Sequence, residues 1–443
     1  MENKVFINDN LPKTYFSFAL PVVFSMIITL IYNLADTYFI AATGNTDLVA
    51  GVSLCAPVLT VLMALGNVFA QGGCSLISRL LGQQDHSAVR HVSAFCVYIS
   101  LLTGIVVGIA MLIFRTPILY ALGTNADTCL HALPYYTCLT VGAPFVVVSY
   151  IYTNLLRAEG MSKEAFIGTV SGAVINIILD PIFILALGWN AGGAAFATIL
   201  GYLCSDLYCF AVFKKKSQHL SVLLKETGIP LKYVKQILGI GIPAALTNIM
   251  QSISVILINH FLLPYGNIQV ATMGIVLKVN SIALFVLIGL AFGGQPLFGY
   301  YYGSDDKKRL AELYRFCITF ISIVALILTL FVYIAAPQLL RCFATDPQMI
   351  TDGTLMLRLQ VVSSVFAGFV LLNTIVTQSA GKITASFLLS ISRQGVVFLI
   401  VLLIAAKTSG YYGVLASQAI ADIITSVLAG MLIYLQKDLF SCC

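Results

Sequence analysis

Charge is what this sequence has least of. Only 9% of its 443 residues are Asp, Glu, Lys or Arg, against 59% hydrophobic, and the mean hydropathy is +0.96. Soluble domains carry about a quarter of their residues as charges, so a water-facing globular surface is excluded. Histidine is scarce as well, five in all, and none stands at metal-ligand spacing. The eleven cysteines are scattered and form no CxxC pair, which excludes a zinc ribbon or a dithiol redox centre. They read as small buried apolar residues. The terminal Cys442-Cys443 reads as an exposed tail in preference to a lipid anchor. No nucleophile, metal-ligand set or redox motif faces a recognisable site, so the chain is not read as an enzyme. No small-residue cleavage site follows the first apolar run, and the first helix is read as retained.

What is present is length in apolar runs. Segments of about twenty residues or more, cut by Gly, Pro and charged loops, give twelve membrane spans. Their limits are 12–42, 48–79, 90–114, 131–156, 163–187, 191–213, 232–262, 268–300, 310–334, 351–378, 384–406 and 412–436. An even count puts both termini on one side. The basic residues choose that side: Lys4, Lys13, Arg79, Arg157, the Lys214–Lys216 run and Lys437 lie with the termini, whereas the opposite loops hold only Arg115, Arg341 and Lys407. By the positive-inside rule both termini are cytoplasmic. The formal charge of +6 then reflects orientation and anionic lipid, not nucleic acid.

The chain repeats itself at an offset of 221. Gly72-Gly73 answers to Gly293-Gly294, Gly82 to Gly303, Ala158-Glu159-Gly160 to Ser379-Ala380-Gly381, and Gly192 to Gly413. Pro21 and Pro243 agree at an offset one larger. The expectation is an all-α membrane protein of two pseudo-symmetric six-helix lobes, 1–213 and 236–443, joined by a basic linker, 214–235. Parallel repeats around a central cavity are the build of rocking transporters.

The polar residues within the spans are one-sided. Asn176 and Asp180 are four apart and share a helix face, in a span where an ionised acid costs at least about 2.5–3.5 kcal/mol. Asp36 lies about 9 Å, and Asp180 about 10 Å, from the outer ends of their helices, at 1.5 Å per residue. Thr198 falls at the same level, and Asn176 one turn further in. Four oxygen-bearing side chains from three helices therefore converge in depth. Their counterparts in the second half include the apolar Ile258, Val397 and Val401. Carboxylate, amide and hydroxyl oxygens suit a hard cation such as Na⁺. Two close acids also resist joint ionisation, so one can carry a proton instead. The residues alone leave Na⁺ and H⁺ both open.

Motifs in both halves carry a family resemblance. Leu156-Arg157-Ala158-Glu159-Gly160, Asn176-Ile177-Ile178-Leu179-Asp180-Pro181 and Gly192-Gly193-Ala194-Ala195 come from the first half. Gly293-Gly294-Gln295-Pro296 with Gly299-Tyr300, and Ser392-Arg393-Gln394, come from the second. Together they resemble the multidrug and toxic compound extrusion (MATE) family, most nearly its MepA-like branch, over essentially the whole chain. The resemblance implies V-shaped six-helix lobes and efflux of amphipathic, often cationic compounds in exchange for Na⁺ or H⁺. By position, Asp36, Asn176, Asp180 and Thr198 match the family's cation-binding residues. Another branch places acids in the seventh and tenth spans; this chain has Asn248, Gln251, Asn259, Asn373 and Gln378 there, which puts a carboxy-lobe coupling acid in doubt.

Further candidates for cavity lining or gating are Pro21, Tyr32, Asn33, Asn154, Lys278, Gln295 and Arg393. Pro21 is either a bending point or a fixed kink. Lys278, Arg393 and Asp422 lie near mid-depth. They form either an ion-pair network for packing or, for Lys278, a cavity charge. Asp206 and Arg358 are expected to be solvated or paired near helix ends. Met26, Met63, Met250, Met273, Phe285 and Phe292 are candidates for an apolar pocket. The expected protein is a monomeric antiporter of the bacterial plasma membrane. It has a small organic substrate, lipid contacts, no nucleic-acid partner and no cofactor beyond the coupling ion. A lipid-linked saccharide flippase is the alternative.

Overall fold

A computed structural model describes residues 6, 10–343, 346–436 and 440. Cys442-Cys443, Lys4 and Lys437 lie outside the described residues. The first half runs α1 (Leu11–Ala41), α2 (Thr46–Leu54), α3 (Ala56–Gly82), α4 (His86–Ile113), α5 (Arg115–Ala121), α6 (Ala126–Val141), α7 (Ala143–Ala158), α8 (Ser162–Asp180) with a π-turn at Pro181–Ala186, and α9 (Asn190–Lys216). The second runs α10 (Leu231–Leu262), α11 (Asn267–Gly303), α12 (Lys307–Arg341), α13 (Pro347–Ser379), α14 (Ile383–Ile391), a π-turn at Ser392–Val396, and α15 (Val397–Leu435).

The twelve expected spans are all helical. Among the described residues ten helical stretches are long and apolar enough to cross a membrane, and α6 with α7 makes another, bent by 50°. One of the ten, Ile383–Leu435, has 53 residues. At 1.5 Å per residue it would extend about 80 Å, far beyond a hydrocarbon core of about 30 Å. It reverses at Gly410, whose φ of 55° and ψ of −128° are not helical, and so holds two spans. The α6–α7 bend falls at Gly142, where a Cβ would collide with Ile199. Lipid-facing stripes recur every three to four residues, as in Leu101, Leu102, Ile105, Val106, Ile109 and Ile113 of α4, all exposed. Apolar side chains in this pattern suit hydrocarbon and would be aberrant in water.

The repeat is visible in the backbone. Gln84 and Asp305 take positive φ at 59° and 56°, and Gly160 and Gly381 at 93° and 70°, each pair 221 apart. Gly44 and Gly266 do so 222 apart, the same offset as Pro21 and Pro243. Asp85 and Asp306 each cap the next helix, accepting from Ala88 N and Arg309 N at 3.0 Å. Caps and left-handed turns are fixed by local chemistry, so equal positions mean equal folding of the two halves.

Contacts within the chain place the boundary of its compact units elsewhere than at the linker. One unit is Phe24–Ala245; the other is Met1–Val23 with Leu246–Cys443. The cause is close helix crossing at the repeated glycines. A Cβ on Gly72 or Gly241 would collide with the backbone of Ile237 or Val68, so α10 begins its course against α3. A Cβ on Gly293 or Gly289 would likewise strike Ala19 or Val23, and Tyr15 donates to Leu290 O at 2.8 Å, so α1 begins against α11.

The linker is strapped to the first unit. Glu159, after α7, accepts from Ser217 Oγ at 2.6 Å, Gln218 N at 2.8 Å and His219 N at 2.7 Å. Ser93 Oγ accepts from Ser221 N at 2.9 Å, and Tyr98 donates to Val222 O at 2.9 Å. Arg90 pairs with Glu226 at 3.0 Å, and the rings of His86 and His219 stack at 4.1 Å.

Candidate cation site

The four residues singled out by depth all belong to the unit Phe24–Ala245. Asp180 is fully buried, Asn176 and Thr198 nearly so, and Asp36 is half-buried. Asn176 Nδ2 donates to Asp180 Oδ1 at 3.3 Å along α8 and to Thr198 Oγ1 at 3.4 Å across to α9. Thr198 Oγ1 in turn donates to Ala194 O at 3.0 Å, so it can only accept from the amide, and the orientation of Asn176 is set. Asp36 from α1 is close enough for its charge to act on Asp180. Three oxygens are then left buried with no partner among the described residues: Asp36 Oδ1, Asn176 Oδ1 and Asp180 Oδ2.

Local sequence explains why these groups converge. Gly172 and Gly201 let α8 and α9 touch; a Cβ on Gly201 would stand 2.7 Å from Gly172 O and 3.3 Å from Asn176 Cβ. Pro181 supplies no N–H, and the helix widens into the π-turn directly after Asp180. Such turns recur at functional sites.

Tyrosines surround the acids. Tyr32, expected as a cavity residue, acts electrostatically on Asp36 and Asp180 and meets the phenol of Tyr202. Tyr135 senses both acids, and Tyr150 meets Tyr202. Tyr135, Tyr150 and Tyr202 are additions to the sequence reading. Tyr202 was recoverable, since it follows Thr198 by four residues on the same face; Tyr135 and Tyr150 carry no spacing signal.

The remaining candidates scatter. Asn154 is buried and spent on packing: it bonds to Gln71 at 3.4 Å, to Tyr150 O at 2.8 Å and to Arg157. Asn33 is exposed. Gln295 is buried in α11 with its Nε2 unpartnered. Pro21 lies inside α1, in the stretch belonging to the second unit. Met273 is a core residue of the second unit, not a pocket wall.

Among the intramembrane charges one expectation is narrowed and one corrected. The expected mid-depth trio is a pair: Arg393 Nε meets Asp422 Oδ1 at 3.0 Å, with Gln418 Nε2 at 3.1 Å. Lys278 is exposed on its own unit and takes no part. The pair occupies the place held in the first half by Gly172 and Gly201, each 221 residues earlier. One helix crossing is therefore made of backbone contact and its counterpart of a buried ion pair. Asp206 was expected to be solvated or paired; it is buried at 7% exposure and, among the described residues, has no ion-pair partner and only the Ser149 hydroxyl beside it, because it faces the bundle interior. Arg358, about three turns into α13, donates to Tyr333 O at 3.2 Å and lies over the Tyr333 ring at 4.9 Å.

Comparison with known proteins gives a consistent picture. The MatE family model matches residues 21–182 and 243–404, two stretches 222 residues apart. The chain is 30% identical to the multidrug export protein MepA of Staphylococcus haemolyticus (strain JCSC1435), over 97% of this chain and 94% of that one. Among solved structures, an outward-facing multidrug resistance MATE family transporter of the MOP superfamily superposes with a TM-score of 0.93 at 24% identity, covering 100% of this chain and 99% of that one. A MOP superfamily transporter from Pyrococcus furiosus Vc1, described as having reversed binding-pocket polarity, gives 0.92 at 25% identity over 100% and 99%.

Proposed function

The chain belongs to the MatE family, and on that premise we propose that it exports amphipathic, often cationic organic compounds in exchange for an inward-moving cation, Na⁺ or H⁺. It works as a monomer in a bacterial plasma membrane, with both termini cytoplasmic. Export by 30%-identical relatives over almost the whole length supports this reading.

The observation that carries the coupling is the set of three buried, unpartnered oxygens at Asp36, Asn176 and Asp180. Buried polar atoms without partners are rare and call for an explanation such as an ion. All three are acceptors. A single proton can pair at most two of them, and an amide oxygen does not take one. A sodium ion can accept all three as ligands, together with Thr198 Oγ1, as hard cations do with oxygen donors. The oxygen set therefore favours Na⁺. Its binding drives export if the site holds the ion more tightly in one conformation of the transporter than in the other.

The test is dye efflux from cells expressing the chain, with the Na⁺ and H⁺ gradients collapsed separately. Loss of efflux with the Na⁺ gradient alone is the expected result. Loss with the H⁺ gradient alone reassigns the ion, and efflux indifferent to both gradients overturns the antiport reading.

A further inference from the structure

The first unit contains, inside α9, a further buried carboxylate that the cation group does not use. Asp206 lies on α9 eight residues beyond Thr198, about 12 Å further from the outer end at 1.5 Å per residue. Tyr202 stands midway. Thr198, Tyr202 and Asp206 recur every four residues and form one polar stripe on a single face of the helix. The upper member belongs to the cation group. The middle one meets Tyr32, whose charge environment includes Asp36 and Asp180.

The lower member is the anomaly. Its carboxylate is buried, and among the described residues the only hydrogen-bond donor that reaches it is the Ser149 hydroxyl, whose single proton leaves at least one oxygen unpartnered. Tyr152 and Cys209 lie within electrostatic reach; no cation does so among the described residues. An uncompensated carboxylate in such surroundings is costly. A purely packing role would be met at lower cost by an apolar residue, and the counterpart 221 residues later is Val427.

We infer that Asp206 is an inner station for the coupling cation, which passes from the Asp36–Asn176–Asp180–Thr198 group along the tyrosine level of α9 to its carboxylate before leaving on the linker side. The inference rests on the antiport reading above. The ligand is a monovalent cation, Na⁺ or H⁺ alike, because a lone carboxylate with unfilled acceptor sites takes either. Asp206 accordingly governs release, not capture.

The experiment separates those two steps. The chain has one tryptophan, Trp189, which stacks on Phe183 in the π-turn after Asp180 at 5.2 Å. Its fluorescence, titrated with NaCl at fixed pH and with pH at fixed Na⁺, reports capture in the purified full-length protein. Gradient-driven efflux of rhodamine 6G from proteoliposomes reports turnover. For Asp206→Asn we expect half-saturation at Trp189 within twofold of wild type and turnover reduced at least tenfold. Asp206→Glu should restore a substantial part of the turnover, and Asp206→Leu should not. The Glu and Leu variants decide the matter if the Asn variant is unstable. Wild-type turnover in Asp206→Leu, or half-saturation that shifts in step with turnover, overturns the station. Wild-type protein with neither a cation response at Trp189 nor gradient-dependent efflux overturns the antiport reading itself, and this inference with it.

Discussion

Removing the Glu159 side chain should release the linker, and by an amount that can be worked out from its contacts. The carboxylate holds one hydroxyl and two backbone N–H groups at 2.6–2.8 Å. In Glu159→Ala the His219 N–H, in a residue only 9% exposed, is left without a partner, at a cost of about 1–3 kcal/mol. Ser217 and Gln218 are more open and can turn to water, losing about 0.5–1.5 kcal/mol each. A local destabilisation of about 4 kcal/mol follows, or roughly a thousandfold more frequent opening. Glu159→Gln should behave differently. Burial pushes the Glu159 carboxyl above its usual range although three hydrogen bonds oppose this, so its negative charge adds little net stabilisation. The amide keeps an oxygen for the two N–H groups, and the loss should be about 1 kcal/mol or less. Amide hydrogen exchange over residues 217–223 is the assay. Unchanged protection in Glu159→Ala, or equal loss in the Gln and Ala variants, would refute the reasoning.

Two further perturbations probe the same unit. Burial, and then the neighbouring His86, hold His219 below the usual histidine value of 6.5; the stability it contributes is therefore complete above about pH 6.5 and is lost as pH falls toward the depressed value. In a Glu159→Gln background, which removes the opposing titration, exchange in the strap should quicken from pH 7.5 to 5.5 after correction for intrinsic rates. His219→Gln should abolish that dependence, and a dependence that survives it speaks against His219. Gly201→Ala places a methyl 2.7 Å from Gly172 O and 3.3 Å from Asn176 Cβ, so overpacking should cost about 1–3 kcal/mol. It should also weaken Na⁺ binding at least tenfold, and a variant with wild-type melting and binding shows that the α8–α9 crossing does not set the site.

Much of this was readable in the chain because bilayers leave few choices. A backbone in hydrocarbon must satisfy itself, so apolar length maps onto helices, and depth can be counted from a helix end. That count brought Asp36, Asp180 and Thr198 to one level with Asn176 one turn further in, and Asn176 bonds directly to Asp180 and Thr198. Rotation about a helix axis is harder to count without knowing which face is lipid. Two side chains show this: Lys278 is exposed and outside the Arg393–Asp422 pair, which leaves its other expected role, a cavity charge, and Asp206 is buried where solvent or a charged partner was expected. The unit boundary was hidden for another reason. The linker has the composition of a boundary, but the glycine crossings at Gly72, Gly241, Gly289 and Gly293 decide which helix halves pack together. Those partners are not encoded by any local pattern.

The central claim is that the unpartnered oxygens of Asp36, Asn176 and Asp180 bind the cation that powers export. Equilibrium binding of ²²Na⁺ to the purified full-length protein, at a pH where wild type is folded, tests it most directly. Saturable binding by wild type, lost in Asp180→Asn and in Asp36→Asn at unchanged melting temperature, is the predicted result. Saturable binding that persists in both variants, or its absence from the wild type, contradicts the account.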